Sequence, residues 1–162
     1  MEQVYINDKT KFGPVTLCES KNQNKYGTMY YLPKKIELIT TEFVEDYHVF
    51  HSENGKIYLC IDSGSQMGVA LQKLQEALTR EKGFTFKPNK KSLYIRMIDV
   101  QEANLPRFQN LLISVNVYGV FLQTSSNTAF LQYELTAFKT SPRIDFEPLT
   151  ANENANDNAV FP

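Results

Sequence analysis

The side chains best equipped for catalysis are few. The 162-residue chain holds two histidines, His48 and His51, and two cysteines, Cys18 and Cys60. The Val, Phe and Tyr around the histidines read as a strand, and a spacing of three sets them on opposite faces of it. They therefore do not converge on one metal. The cysteines form no CxxC and are too few for a disulfide framework, which fits a reduced intracellular chain. No GxxxxGK[ST] or GxGxxG loop is available to cradle phosphate. Gly64-Ser65-Gln66-Met67-Gly68 lacks the GxSxG spacing of a nucleophile elbow, and Ser65 is better placed to cap a helix. Asp62 and Asp99 end expected strands, where the carboxylates of a metal nuclease would sit, but no Glu-x-Lys follows at nuclease-like spacing. The expectation is a protein that is not an enzyme and carries no cofactor or metal.

What remains are cations and aromatic rings, and these are clustered. Lys21, Lys25, Lys34 and Lys35 share a stretch without acids and are interleaved with Tyr26, Tyr30 and Tyr31. Arg80, Lys82, Lys87, Lys90, Lys91 and Arg96 stand against Glu81 alone, interleaved with Phe84, Phe86 and Tyr94. Between Ile36 and Gly55 lie Glu37, Glu42, Glu45, Asp46 and Glu53 with no Lys or Arg. The net charge of -1 hides this division. Residues 145–162 carry Asp145, Glu147, Glu153 and Asp157 and no Lys or Arg, so the preceding body is net positive. Cations pair with backbone phosphates and release counterions, and aromatic faces stack on unpaired bases. The plainer reading of the same residues has the rings filling a core and the lysines solvating loops.

These residues need elements to hold them. Val, Ile, Thr, Phe and Tyr far outnumber Ala, which favours strands. Extended segments are expected at Val4–Ile6, Val15–Cys18, Thr28–Leu32, Ile36–Thr41, Tyr47–His51, Lys56–Ile61, Phe84–Phe86, Leu93–Ile98, Leu111–Gln123 and Ala129–Lys139. Asn54-Gly55 between two β-rich runs marks a hairpin, and Pro33 marks an edge or bulge. Gly119 marks a bulge in the longest strand. In Leu93–Ile98, Leu93, Ile95 and Met97 alternate with Tyr94 and Arg96, so the second set faces outward if the first is core. One helix is expected over Gln66–Lys82, because Met67, Leu71, Leu74 and Leu78 form a single stripe. Gly83 suits its left-handed stop.

The order is strands, one helix, then strands, with no internal repeat. A small bent β-barrel of OB type with one helix packed on it fits that order. No apolar run is long enough for a membrane helix, and Met1-Glu2-Gln3 is not a secretory start. The chain divides into a body, residues 1–144, and a low-complexity acidic tail, residues 145–162, expected to be disordered. That tail closes on Val160-Phe161-Pro162.

A β-rich body with one helix, basic-aromatic stretches and an acidic tail closing on an aromatic resembles the single-stranded DNA-binding proteins of bacteriophages and other DNA viruses, built on the OB fold. The likeness is greatest over residues 113–139, ISVNVYGVFLQTSSNTAFLQYELTAFK, which is similar to the closing strands of such domains. Trp is absent, so Tyr and Phe would have to serve for stacking, and the end order Phe161-Pro162 departs from the bacterial Pro-Phe. The resemblance implies sequence-independent binding of single-stranded DNA in viral replication, recombination or repair, inside the host cytoplasm for a phage protein. It implies phosphate contacts from Lys21, Lys25, Lys34, Lys35, Lys87, Lys90, Lys91 and Arg96. It implies stacking by Tyr30, Tyr31, Phe84, Phe86 and Tyr94, with Tyr118 and Phe130 as weaker candidates. The tail would compete for the basic groove, and Phe161 would engage a replication or recombination partner. The alternatives are a β-sandwich virion or assembly protein that binds other proteins, and a small nuclease using Asp62 and Asp99. The oligomeric state stays open.

Overall fold

The computed structural model describes residues 2–20, 24–87, 90–98, 100–106 and 109–142. Lys21, Asp99, Phe161 and the whole acidic segment 145–162 lie outside the described residues. The described chain runs β1 (Glu2–Tyr5), β2 (Cys18–Glu19), β3 (Gly27–Ile39), β4 (Tyr47–His51), β5 (Ile57–Asp62), α1 (Gln66–Lys82), β6 (Ser92–Arg96), a 3-10 turn (Glu102–Asn104), β7 (Gln109–Gln123) and β8 (Thr128–Pro142). It is mainly β with one α-helix. The strands form one mixed sheet in the order β1-β3-β7-β8-β6-β5-β4, with β2 also on β3. The β1·β3 and β6·β8 pairs are parallel and the rest antiparallel. No helix among the described residues is long and apolar enough to cross a membrane.

Period-two alternation builds the core. Leu59 and Ile61 of β5, Leu93 and Ile95 of β6, Val115 and Val117 of β7, and Leu131 and Leu135 of β8 turn the same way and are buried. The stripe of α1 closes over them, with Met67, Leu71, Leu74 and Leu78 all buried. The helix begins where expected: the Ser65 hydroxyl accepts from the Gly68 N–H at 3.3 Å. It ends at Gly83, whose φ of 75° is the left-handed stop that a Cβ disfavours. Gln66 ties its first turn to two other elements. Its side-chain oxygen accepts from the Thr41 and Glu42 N–H groups, and its amide nitrogen donates to the Ile6 carbonyl.

Three strand expectations need correction. The chain expected as a strand over Val15–Cys18 pairs only at Cys18–Glu19. Phe84–Phe86 contributes a single bridge, Phe86 to Ala129, because the half-buried rings of Phe84 and Phe86 pack into the core cluster. The expected barrel is an open sheet: the pairing path ends at β1 on one side and β4 on the other. The stretch before β4 is acidic and largely exposed, and it returns to β7 at one antiparallel bridge only. There the Val44 N–H donates to the Leu111 carbonyl at 2.7 Å and the Leu111 N–H to the Val44 carbonyl at 2.9 Å.

Both long strands bend by register shift. The β3·β7 register slips between Tyr31 and Ile36, across Pro33, and β7·β8 slips between Val117 and Gly119. At Gly119 a Cβ would stand 2.4 Å from the Tyr30 carbonyl oxygen, so the strands close to this distance only over glycine. Gly119→Ala should therefore cost about 1–3 kcal/mol by forcing the bulge apart, read as a lower midpoint in urea unfolding. On the outer side of β3, Glu37 accepts hydrogen bonds from Ser114, Gln3 and Thr136, and these hold its carboxyl below its usual value of 4.5. Its contribution is full above about pH 4.5 and fades as the pH falls through the lowered folded value. Acid unfolding of Glu37→Gln should lose that part of its pH dependence relative to wild type.

Candidate nucleic-acid interface

The alternation that buries Leu59, Ile95 and Val115 leaves another set of side chains on the outer face. On β4, β5 and β6 these are Phe50, Tyr58 and Tyr94. Antiparallel register sets Phe50 opposite Tyr58 and Tyr58 opposite Arg96, while Tyr94 lies opposite Cys60. The three rings touch one another edge to face or tilted: Phe50 to Tyr94 at 5.5 Å between centroids, Phe50 to Tyr58 and Tyr58 to Tyr94 at 6.3 Å. Phe50 is 43% and Tyr94 44% exposed, so ring faces remain open to solvent. Large apolar rings left open together on a strand face are unusual and mark a binding surface more often than an accident.

Tyr94 and Arg96 thus stand where the strand pattern puts them, outward and on one face. Phe50 and Tyr58 were missed, although the signal existed. The Asn54-Gly55 turn fixes the β4·β5 register, and that register brings Phe50 opposite Tyr58. Beneath the rings Cys60 is buried, and burial pushes its thiol pKa up. This disfavours the thiolate and any nucleophilic role.

The other stacking candidates divide. Tyr30, Phe84 and Phe86 form a second chain of rings, at 5.5 Å and 6.2 Å, but all three are half-buried and pack against the core cluster. Tyr31 is exposed on the far side of β3 from Tyr30, opposite Gly119. Phe130 faces outward opposite Phe121, with the Lys87 ammonium 5.9 Å from its ring centre. Tyr118 also faces outward; burial and the nearby Glu134 push its phenol pKa up, while Arg96 pulls it down.

The lysines are dispersed. Lys34 and Lys35 sit exposed at the β3 register shift. Lys25 lies over the Tyr26 ring at 5.2 Å, beside the β7–β8 turn, where the Thr124 N–H donates to the Tyr26 carbonyl. Lys90 and Lys91 precede β6, and Lys91 lines a cleft of about 1190 Å³ with Glu45, Asp46, Asp62 and Glu102. That cleft opens beside His48 and Cys60, at one end of the aromatic face. Its four carboxylates outnumber the single Lys91, so the cleft is acidic rather than a seat for phosphate. The Nε2 of His51 on β4 lies 2.8 Å from the Glu102 Oε1. Asp99, the intended partner of Asp62, lies outside the described residues, and no group of three His, Cys, Asp or Glu among the described residues is arranged to hold a metal.

No protein-family model, no curated protein and no solved structure matches the chain. The assignment therefore rests on the site itself. Since the rings of Phe50 and Tyr94 gain only partial burial from each other, Tyr94→Ala should lower stability by about 1 kcal/mol. Leu59→Ala, directly beneath, should cost about 2–5 kcal/mol. Parallel thermal or urea unfolding of the two variants checks the contrast; equal losses would make Tyr94 a core residue.

Proposed function

We propose that the protein binds single-stranded DNA with little base selectivity over most of its contacts, as an OB-type domain covering strands exposed during replication, recombination or repair. The observation that carries this is the solvent-open ring cluster of Phe50, Tyr58 and Tyr94 beside Arg96. Rings arranged in this way offer π-faces to unstacked bases and a cation to the backbone. A duplex keeps its base faces hidden and gains nothing from them.

The strand connections support the OB reading. Counted through the Val44–Leu111 bridge, the chain from β3 to β4 is one bent strand that lies on β7 at its start and on β5 at its end. Taken with β5, β6, β8 and β7, that connection supports the strand order of a five-stranded, partly open barrel, although the sheet itself is open. In that count β5 and β6 are the second and third strands, whose outer face is the usual nucleic-acid platform of the fold. Tyr58, Tyr94 and Arg96 are on that face. Phosphate contacts then fall to exposed cations elsewhere on the surface, among them Lys34, Lys35 and Lys87.

Fluorescence anisotropy with oligo-dT and a duplex of equal length, with and without Mg²⁺, is the test. The expected result is single-strand binding that weakens at least about tenfold between low and moderate salt, with no cleavage in Mg²⁺. Tyr94→Ala should weaken it by about tenfold, the worth of roughly one stacked base. Equal affinity for duplex, or none for either, removes the reading and leaves the protein-binding β-domain. Cleavage in Mg²⁺ points to the nuclease.

A further inference from the structure

One line of register partners crosses the sheet on its outer face. It runs Phe50 (β4), Tyr58 (β5), Arg96 (β6), Glu134 (β8), Asn116 (β7) and Glu37 (β3). Adjacent strands lie about 4.8 Å apart, so the two rings are followed at once by three hydrogen-bonding side chains in a row. Their polar atoms are not used up within the protein. The Arg96 Nε–H and the Asn116 Oδ1 are buried and without a partner among the described residues. Asn116 as a whole is 5% exposed and forms the floor of the row. Arg96 and Glu134 stand opposite each other in register yet form no ion pair among the described residues. Tyr118 flanks the row, its phenol within the field of both charges. Buried polar atoms are nearly always satisfied in folded proteins, and exceptions point to an absent partner.

The order of chemistry along the row is donor, acceptor, acceptor: the Arg96 guanidinium, the Glu134 carboxylate, the Asn116 carbonyl. We infer that Arg96, Glu134 and Asn116 read the Watson–Crick edge of an unpaired guanine whose ring stacks on the neighbouring aromatics. This rests on the single-strand binding proposed above and deepens it. Guanine presents O6, N1–H and N2–H in that order, an acceptor followed by two donors, and so complements all three groups. Adenine and cytosine each turn a ring-nitrogen lone pair toward the carboxylate. Thymine satisfies Arg96 and Glu134 but sets its O2 against the Asn116 oxygen. The protein would thus cover any strand through stacking and phosphate contacts, and hold it in a preferred register where a guanine meets this row.

The test uses the full chain and fluorescence anisotropy. The probes are an oligo-dT and the same oligomer with every fourth thymine replaced by guanine, adenine or hypoxanthine. The guanine oligomer should bind at least about fivefold more tightly than oligo-dT. The adenine oligomer should stay within about twofold of oligo-dT, and hypoxanthine, which lacks N2, should fall between. Glu134→Gln and Arg96→Lys should each bring the guanine-to-thymine ratio close to one. Arg96→Lys keeps the positive charge and loses the Nε donor, so it separates edge reading from phosphate attraction. Circular dichroism establishes that each variant is folded, and either one decides the matter if the other is not. Oligo-dT binding with equal gains for guanine and adenine would reduce the effect to purine stacking and overturn the inference while leaving the proposed function intact. A guanine preference that survives both substitutions also overturns it. Failure to bind any of the oligomers overturns the proposed function and this inference with it.

Discussion

The bend between β3 and β4 holds the rest of the molecule in place, and it depends on Thr40. Up to Ile39 the chain pairs with β7 in a regular antiparallel register, Ile39 opposite Ser114. At Thr40 a side chain enters the ladder. Its backbone N–H donates to the Ile113 carbonyl at 3.0 Å, while its hydroxyl oxygen accepts from the Ile113 N–H at 2.8 Å. Thr40 is buried, so this N–H has no recourse to water. A hydroxyl replaces a carbonyl, the ladder loses no hydrogen bond, and the backbone is released to turn. Val44 then regains Leu111, and the chain departs as β4 to pair with β5. Without that turn, β4 and β5 would have no reason to lie at the far end of the sheet from β3. The rings they carry would not meet β6.

Local chemistry made much of this legible. The helix from Gln66 to Lys82, its Ser65 cap and its Gly83 stop depend on residues within a few positions of one another. So does the hairpin around Asn54-Gly55, and so does the outward direction of Tyr94 and Arg96. The Phe84–Phe86 segment was misread because alternation alone cannot tell a strand from a stretch that drops two rings into a core. The line from Phe50 to Glu37 was illegible for a different reason. It requires the parallel register Arg96–Glu134, which joins strands on either side of a long connection and is set by how the whole sheet packs. The charge runs were legible as runs, but proximity along the chain did not become proximity in space: Lys91 faces an acidic cleft and Lys87 a phenylalanine ring.

The interface is consequently more aromatic than cationic. Register puts Arg96 opposite Tyr58 beside the rings, and the adjoining cleft is lined by Glu45, Asp46, Asp62 and Glu102. Under the proposed function, such a surface would gain affinity from stacking, and electrostatics would choose the direction in which the strand lies.

Because successive side chains on β6 belong to opposite worlds, solvent and core, the two cannot be edited separately by changing chain length. Adding or removing one residue between Leu93 and Met97 would turn Tyr94 and Arg96 inward and expel Ile95. Lineages descending from this protein can therefore retune the face only by exchanging one residue for another. Changes of length are confined to places such as Ser52–Gly55 and Thr124–Asn127, where an altered loop shifts no strand. Divergent relatives should keep the strand lengths while their turns grow and shrink.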